Sequence, residues 1–174
     1  MTIRKKLIKE LANEALSFIA CTEPWVDVRK IVDACGIKPV PHDPGDEDLS
    51  GFLLRNPEDN SVILGVNSTH SKNRQRFTIG HELGHHFLHS NSVHVDGRYQ
   101  VMNRDAKSKE GNNTQEIEAN FFAGELLVPE QMLRADIEKI GQLDVEDEVV
   151  VKKLAKRYRV STQVIARRLF ILGY

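Results

Sequence analysis

The chain has 174 residues, 40% of them hydrophobic, with 24 lysines and arginines against 25 aspartates and glutamates and a formal net charge of −1. Such a composition suits one compact globular domain over residues 1–174 and excludes a disordered chain or a globally basic nucleic-acid binder. No stretch approaches the run of about 18 apolar residues needed to cross a membrane, so no membrane partner is expected.

The first element, Thr2 to Ala20, is basic and then apolar, as a secretory leader would be. Lys9, Glu10, Asn13 and Glu14 interrupt it, while Ile3, Leu7, Ile8, Leu11, Ala15, Phe18 and Ile19 keep helical spacing. The segment therefore reads as an amphipathic helix. After Pro24 a second helix runs from about Val26 to Ala34 and stops at Gly36. Cys21 and Cys35 lack CxxC spacing and read as core thiols in a reducing compartment, which points to the cytoplasm. Ile37 to Val40 is a short strand candidate, followed by an acidic, proline-bearing loop from Pro41 to Asp48. Gly51 to Arg55 and Ser61 to Val66 read as a hairpin around Asn56-Pro57-Glu58-Asp59-Asn60.

The next helix, about Ser71 to His89, carries His81-Glu82-Leu83-Gly84-His85. Histidines four residues apart share a helix face and can bind one Zn²⁺, and a glutamate directly after the first can serve as general base. At about 100° per residue, Phe77, Gly80, Leu83, Gly84, Phe87 and Leu88 fall on one side, opposite His81, Glu82, His85 and His89. Two glycines one turn apart weaken a helix by roughly 1 kcal/mol each relative to alanine, which is reasonable only where a neighbour packs closely.

A catalytic zinc site needs a third protein ligand. Ser90 to Asn113 reads as a long loop without apolar periodicity, and Thr114 to Leu127 as a further helix ended by Val128-Pro129. Glu116 shares a face of that helix with Ile117, Asn120, Ala123, Gly124 and Leu127, which makes it the leading candidate. Asn120, one turn on, could hold a liganding histidine by hydrogen bonding. Glu118, grouped with Glu125 on a face read as solvated, is the alternative, and a ligand elsewhere stays open. His86, His94, Arg98 and Tyr99 are unranked candidates for stabilising an oxyanion. Ser61 to Val66 is the candidate sheet edge for docking an extended peptide, with an inner strand as the equal alternative.

At the carboxyl end, residues 145–174 resemble a helix-turn-helix pair belonging to the same domain. Lys152, Lys153, Lys156, Arg157, Arg159, Arg167 and Arg168 lie in its acid-free part, so DNA binding stays open as a minor reading beside plain packing helices.

Arg76 to His85, followed by Glu116-x-x-Ala119-Asn120-x-Phe122-Ala123-x-Glu125-Leu126-Leu127-x-Pro129, closely resembles the ImmA/IrrE family of zinc metallo-endopeptidases. The likeness extends to Asp27-Val28, Ser50-Gly51 and Asn67. Gly80 and Val128 depart from it, where the family often has alanine and methionine. The resemblance implies a mainly helical, zincin-like α+β fold with a small three-stranded sheet beside the motif helix. It implies zinc held by His81, His85 and Glu116, with Glu82 as base, and a helix-turn-helix repressor as substrate. The alternative is a zinc-containing regulatory module that acts on a repressor or toxin by association, without hydrolysis.

Overall fold

The computed structural model describes residues 3–42, 49–56, 58–89, 94–95, 106–141, 144–145 and 147–174, with backbone alone at 94–95 and 106–112. Helices α1 (Lys5–Ser17) and α2 (Val28–Ala34) come first, then strands β1 (Lys38–His42), β2 (Gly51–Arg55) and β3 (Val62–Asn67). Helix α3 (Lys72–Leu88), the two-residue strand β4 (His94–Val95) and helices α4 (Ala106–Leu127), α5 (Glu130–Ile140), α6 (Glu148–Tyr158) and α7 (Thr162–Ile171) follow.

Several helix boundaries have a local cause. Asp27 caps α2 by accepting from the Arg29 N–H, and Gly36, at φ +68°, turns the chain out of it. Ser71, Asp147 and Ser161 cap α3, α6 and α7 in the same way. In α1 the buried residues are Ile8, Ala12 and Ala15, while Leu7 and Phe18 stay exposed. The core is continuous from there through Val28, Ile31, Leu53, Leu64, Leu83, Phe122, Leu127 and Leu133 to Tyr158 and Ile165.

The three expected strands form a mixed sheet packed on α3, with β3 parallel to β1 and antiparallel to β2. β4 adds to the outer side of β2, giving the order β1-β3-β2-β4. Of the two equal readings of Ser61 to Val66, a peptide-docking edge and an inner strand, the second holds, since β3 lies between β1 and β2. Its unbroken Val62-Ile63-Leu64-Gly65-Val66 run is what a strand covered on both faces requires. On the free side of β1, Pro39 and Pro41 have no N–H to give, and neither can donate into β3, so both face outward. That edge is blocked chemically.

Two helical stretches differ from the expectation. α4 starts at Ala106, inside the segment read as a loop, and runs through Gly111; its first two turns lack the apolar periodicity that would have marked them. α5 was not anticipated, although Pro129 and Glu130 at its start, Leu133 and Ile137 in the core and Gly141 at φ +81° are ordinary helix signals. Among the described residues, no helix is long and apolar enough to cross a membrane.

Candidate metal centre

The site is built where α3 crosses α4. A Cβ at Gly84 would sit 2.9 Å from the Ala119 Cα, and one at Gly80 would sit 3.4 Å from the Ala123 Cβ. Gly84 therefore lets α4 approach α3 more closely than a side chain would permit, whereas a methyl at Gly80 would make an ordinary contact. Register follows from this packing: with Ala119 against Gly84 and Ala123 against Gly80, Glu116 on α4 faces His81 and His85 on α3. At the start of α3, the Gln75 amide donates to the carbonyls of Ser68 and His70 and fixes the entry of the chain.

His81, Glu82 and His85 are buried, which excludes a solvated histidine cluster. The His81 and His85 Nε2 atoms lie 3.1 Å apart. One Glu116 oxygen is 3.3 Å from the His81 Nε2 and the other is 3.5 Å from the His85 Nε2. Donors bound at about 2.0–2.1 Å in a tetrahedron lie roughly 3.3 Å from one another, and each of these three contacts is close to that length, with Glu116 meeting the two histidines through different oxygens. Glu116 keeps 27% side-chain exposure, which puts the open side of the triad toward solvent. The Asn120 Oδ1 lies 3.2 Å from the His81 Nδ1. Because a carbonyl oxygen only accepts, this contact places the proton on Nδ1 and leaves the Nε2 lone pair aimed at the triad. Glu82 stands at the next helix position, under the start of β2, where a Cβ at Gly51 would be 3.4 Å from its Oε1.

The structure brings His81, His85, Glu116 and Asn120 together, with Glu82 the next residue after His81 on α3. Its main departure concerns Glu118 and Glu125, expected on a solvated face and found buried. Arg4 holds Glu118 through its backbone N–H, its Nε and its Nη2, so the Glu118 carboxyl lies below the ordinary range, chiefly because of that bonding. Glu125 pairs with Arg168 at 2.6 and 2.8 Å. Neither acid belongs to the metal triad. His89 extends the histidine row, its ring 5.4 Å from that of His85, and burial holds its pKa down. His86 turns to Arg55, 3.0 Å from its Nδ1; burial, then the Arg55 charge, lower its pKa to about 4, so the ring is neutral at pH 7. The other oxyanion candidates, the side chains of His94, Arg98 and Tyr99, lie outside the described residues.

Comparison with known proteins agrees with this geometry. The family described as "Peptidase_M78: IrrE N-terminal-like domain" matches residues 32–170. No curated protein matches the chain. Among solved structures, a Mycobacterium tuberculosis transcriptional regulator is similar in fold, with TM-score 0.60 and 16% identity over 93% of this chain and 46% of that one. The chain thus spans about half the length of that protein.

Proposed function

The chain belongs to the IrrE N-terminal-like peptidase family, and from that premise we propose that it is a zinc endopeptidase with His81, His85 and Glu116 as ligands and Glu82 as general base. The observation that carries this reading is the convergence of two imidazole nitrogens and one carboxylate on a point beside a fully buried glutamate. Zinc bound there would lower the pKa of a water ligand and polarise the scissile carbonyl. Asn120 holds the His81 ring by its Nδ1, with Nε2 on the side of His85 and Glu116. Glu82 accepts the proton of the attacking water and delivers it to the leaving amine, from a pocket where β2 and α3 exclude bulk solvent.

The substrate that fits the resemblance is a helix-turn-helix repressor, and the solved relative is itself named a transcriptional regulator. We take residues 1–174 as one functional unit, since α1, α3 and α7 all pack on α4. DNA binding by the carboxyl-terminal pair has less support. Of its basic residues, Lys152 pairs with Glu148, Arg157 with Asp136 and Arg168 with Glu125, and Arg159 stacks on Trp25. A module that acts only by association would have no use for a carboxylate buried beside the triad.

Metal content of the purified chain tests the site directly. The expected result is about one zinc per chain, lost in Glu116→Ala and kept in Glu118→Ala. Glu82→Gln should keep its zinc and lose cleavage by a factor of about 10² to 10⁴. A zinc-loaded Glu82→Gln that still cuts would remove Glu82 from the chemistry.

A further inference from the structure

A second concavity lies beside the metal centre and is not explained by it. It encloses about 390 Å³ between the first half of α3, the middle of α4 and the α6–α7 turn, within the range of roughly 300–1,000 Å³ usual for ligand sites. Phe77, Phe121, Val164 and Ile171 give it an apolar floor, and Arg74 and Arg167 stand among its polar lining. No aspartate or glutamate among the described residues lines it. Arg168, also in the wall, is neutralised by Glu125, whereas Arg167 is exposed. The cavity thus suits an apolar group next to a negative charge.

Two of its walls lead to the reacting atoms. Asn120 lines the cavity and bonds to the metal-facing His81. Arg74 lines it too and donates to the Ser50 hydroxyl at 3.0 Å. Ser50 precedes Gly51, the residue that lies against Glu82. One wall is therefore tied to a metal ligand and another to the strand end beside the base. The cavity and the metal site share Asn120, one turn along α4 from Glu116.

We propose that this cavity receives an apolar side chain of the substrate next to the bond that is cut, and that Arg74 and Arg167 select an acidic residue beside it. The assignment rests on the peptidase reading above. It makes the substrate class a protein segment with Leu or Phe flanked by Asp or Glu, and it makes Arg167 and Val164 specificity-determining residues.

The test uses the zinc-loaded 174-residue chain and short peptide hydroxamates, which anchor on zinc without being hydrolysed. They differ only in the side chain beside the anchor (Gly, Leu, Phe or Lys) and in the following residue (Asp or Lys). Calorimetric affinities should favour Leu and Phe over Gly by about tenfold or more, a difference typical of filling an apolar pocket. Asp should be favoured over Lys at the second position. Arg167→Glu, on the surface, should reverse the charge preference and keep the apolar one. Val164→Phe, checked for zinc content and unfolding temperature, should fill the cavity and abolish the apolar preference. Equal affinity across the wild-type series, or preferences unchanged in both variants, overturns the proposal. The two readings fail separately. Side-chain selection by a protein that cuts nothing supports the cavity assignment and counts against peptidase activity. Cleavage without side-chain selection overturns the cavity assignment alone.

Discussion

Arg168 is 1% exposed yet carries a full charge, and its surroundings account for this completely: both terminal nitrogens meet Glu125, and Nε donates to the Val128 carbonyl. A buried pair of this kind binds strongly in place but is expensive to desolvate, so removing one partner does more harm than replacing both. Arg168→Ala should lower stability by roughly 3–5 kcal/mol in urea unfolding, whereas a paired replacement of Arg168 and Glu125 by Met and Leu should come close to wild type. Asp136 anchors a second such cluster, accepting from the Arg157 Nε at 2.6 Å and from the buried Tyr158 hydroxyl at 2.9 Å. Burial, then the bond to Asp136, raise the Tyr158 pKa far above its ordinary value of 10.0. The folded state therefore keeps the phenol protonated where the unfolded chain would release its proton. This stabilisation is fully present below pH 10 and is lost as the pH climbs above it. Stability measured from pH 9 to 11 should fall more steeply in wild type than in Tyr158→Phe, which at pH 7 should cost about 1 kcal/mol for the lost hydrogen bond. Parallel slopes in the two proteins would remove Tyr158 from the alkaline transition.

The contact between α3 and α4 positions the metal triad, and its two glycines are not equivalent. At Gly84 a methyl group would press on the Ala119 backbone at 2.9 and 3.0 Å, and a backbone cannot step aside as a flexible side chain can. Gly84→Ala should therefore destabilise the fold by about 1–3 kcal/mol and weaken zinc binding by moving Glu116 away from the histidines. At Gly80 the same methyl would meet the Ala123 Cβ at 3.4 Å, close to ordinary contact. Gly80→Ala should be neutral or gain up to about 1 kcal/mol of helix propensity, with zinc content unchanged. These features were legible in the sequence because helical spacing carries them: His81 with His85, Gly80 with Gly84, and Glu116 with Asn120 are all i, i+4 pairs. What was not legible depends on distant partners. Glu118 and Glu125 look solvated until Arg4, 114 positions away, and Arg168, 43 positions away, are brought to them. The place of β3 inside the sheet depends likewise on its parallel pairing with β1, which no local pattern announces.

At the scale of the whole molecule, the metal triad joins two helices that also meet through Gly84 on Ala119 and through the stacked rings of Phe87 and Phe122, and α4 also carries α1 and α7. Zinc should therefore act as a staple on the fold as well as a reagent. A ligand that binds only the folded state adds RT ln(1 + [L]/Kd), or about 2.7 kcal/mol at a hundredfold excess over Kd. A domain of this size should respond with a rise of several degrees in its unfolding temperature, reversed by a chelator. Glu116→Ala isolates the cause, because Glu116 is only half-buried and its loss opens no core cavity. The metal-free variant should unfold near the metal-free wild type, and its unfolding temperature should rise little when zinc is added. Asn120→Ala should fall between the two. It keeps all three ligands but loses the bond that orients His81, so zinc affinity should drop by about 10- to 100-fold, or about 1.4–2.7 kcal/mol, and the thermal shift at a fixed zinc concentration should shrink accordingly. An equal zinc-induced shift in wild type and Glu116→Ala would mean that the stabilising ion sits elsewhere, and the joint between α3 and α4 would then be held by packing alone.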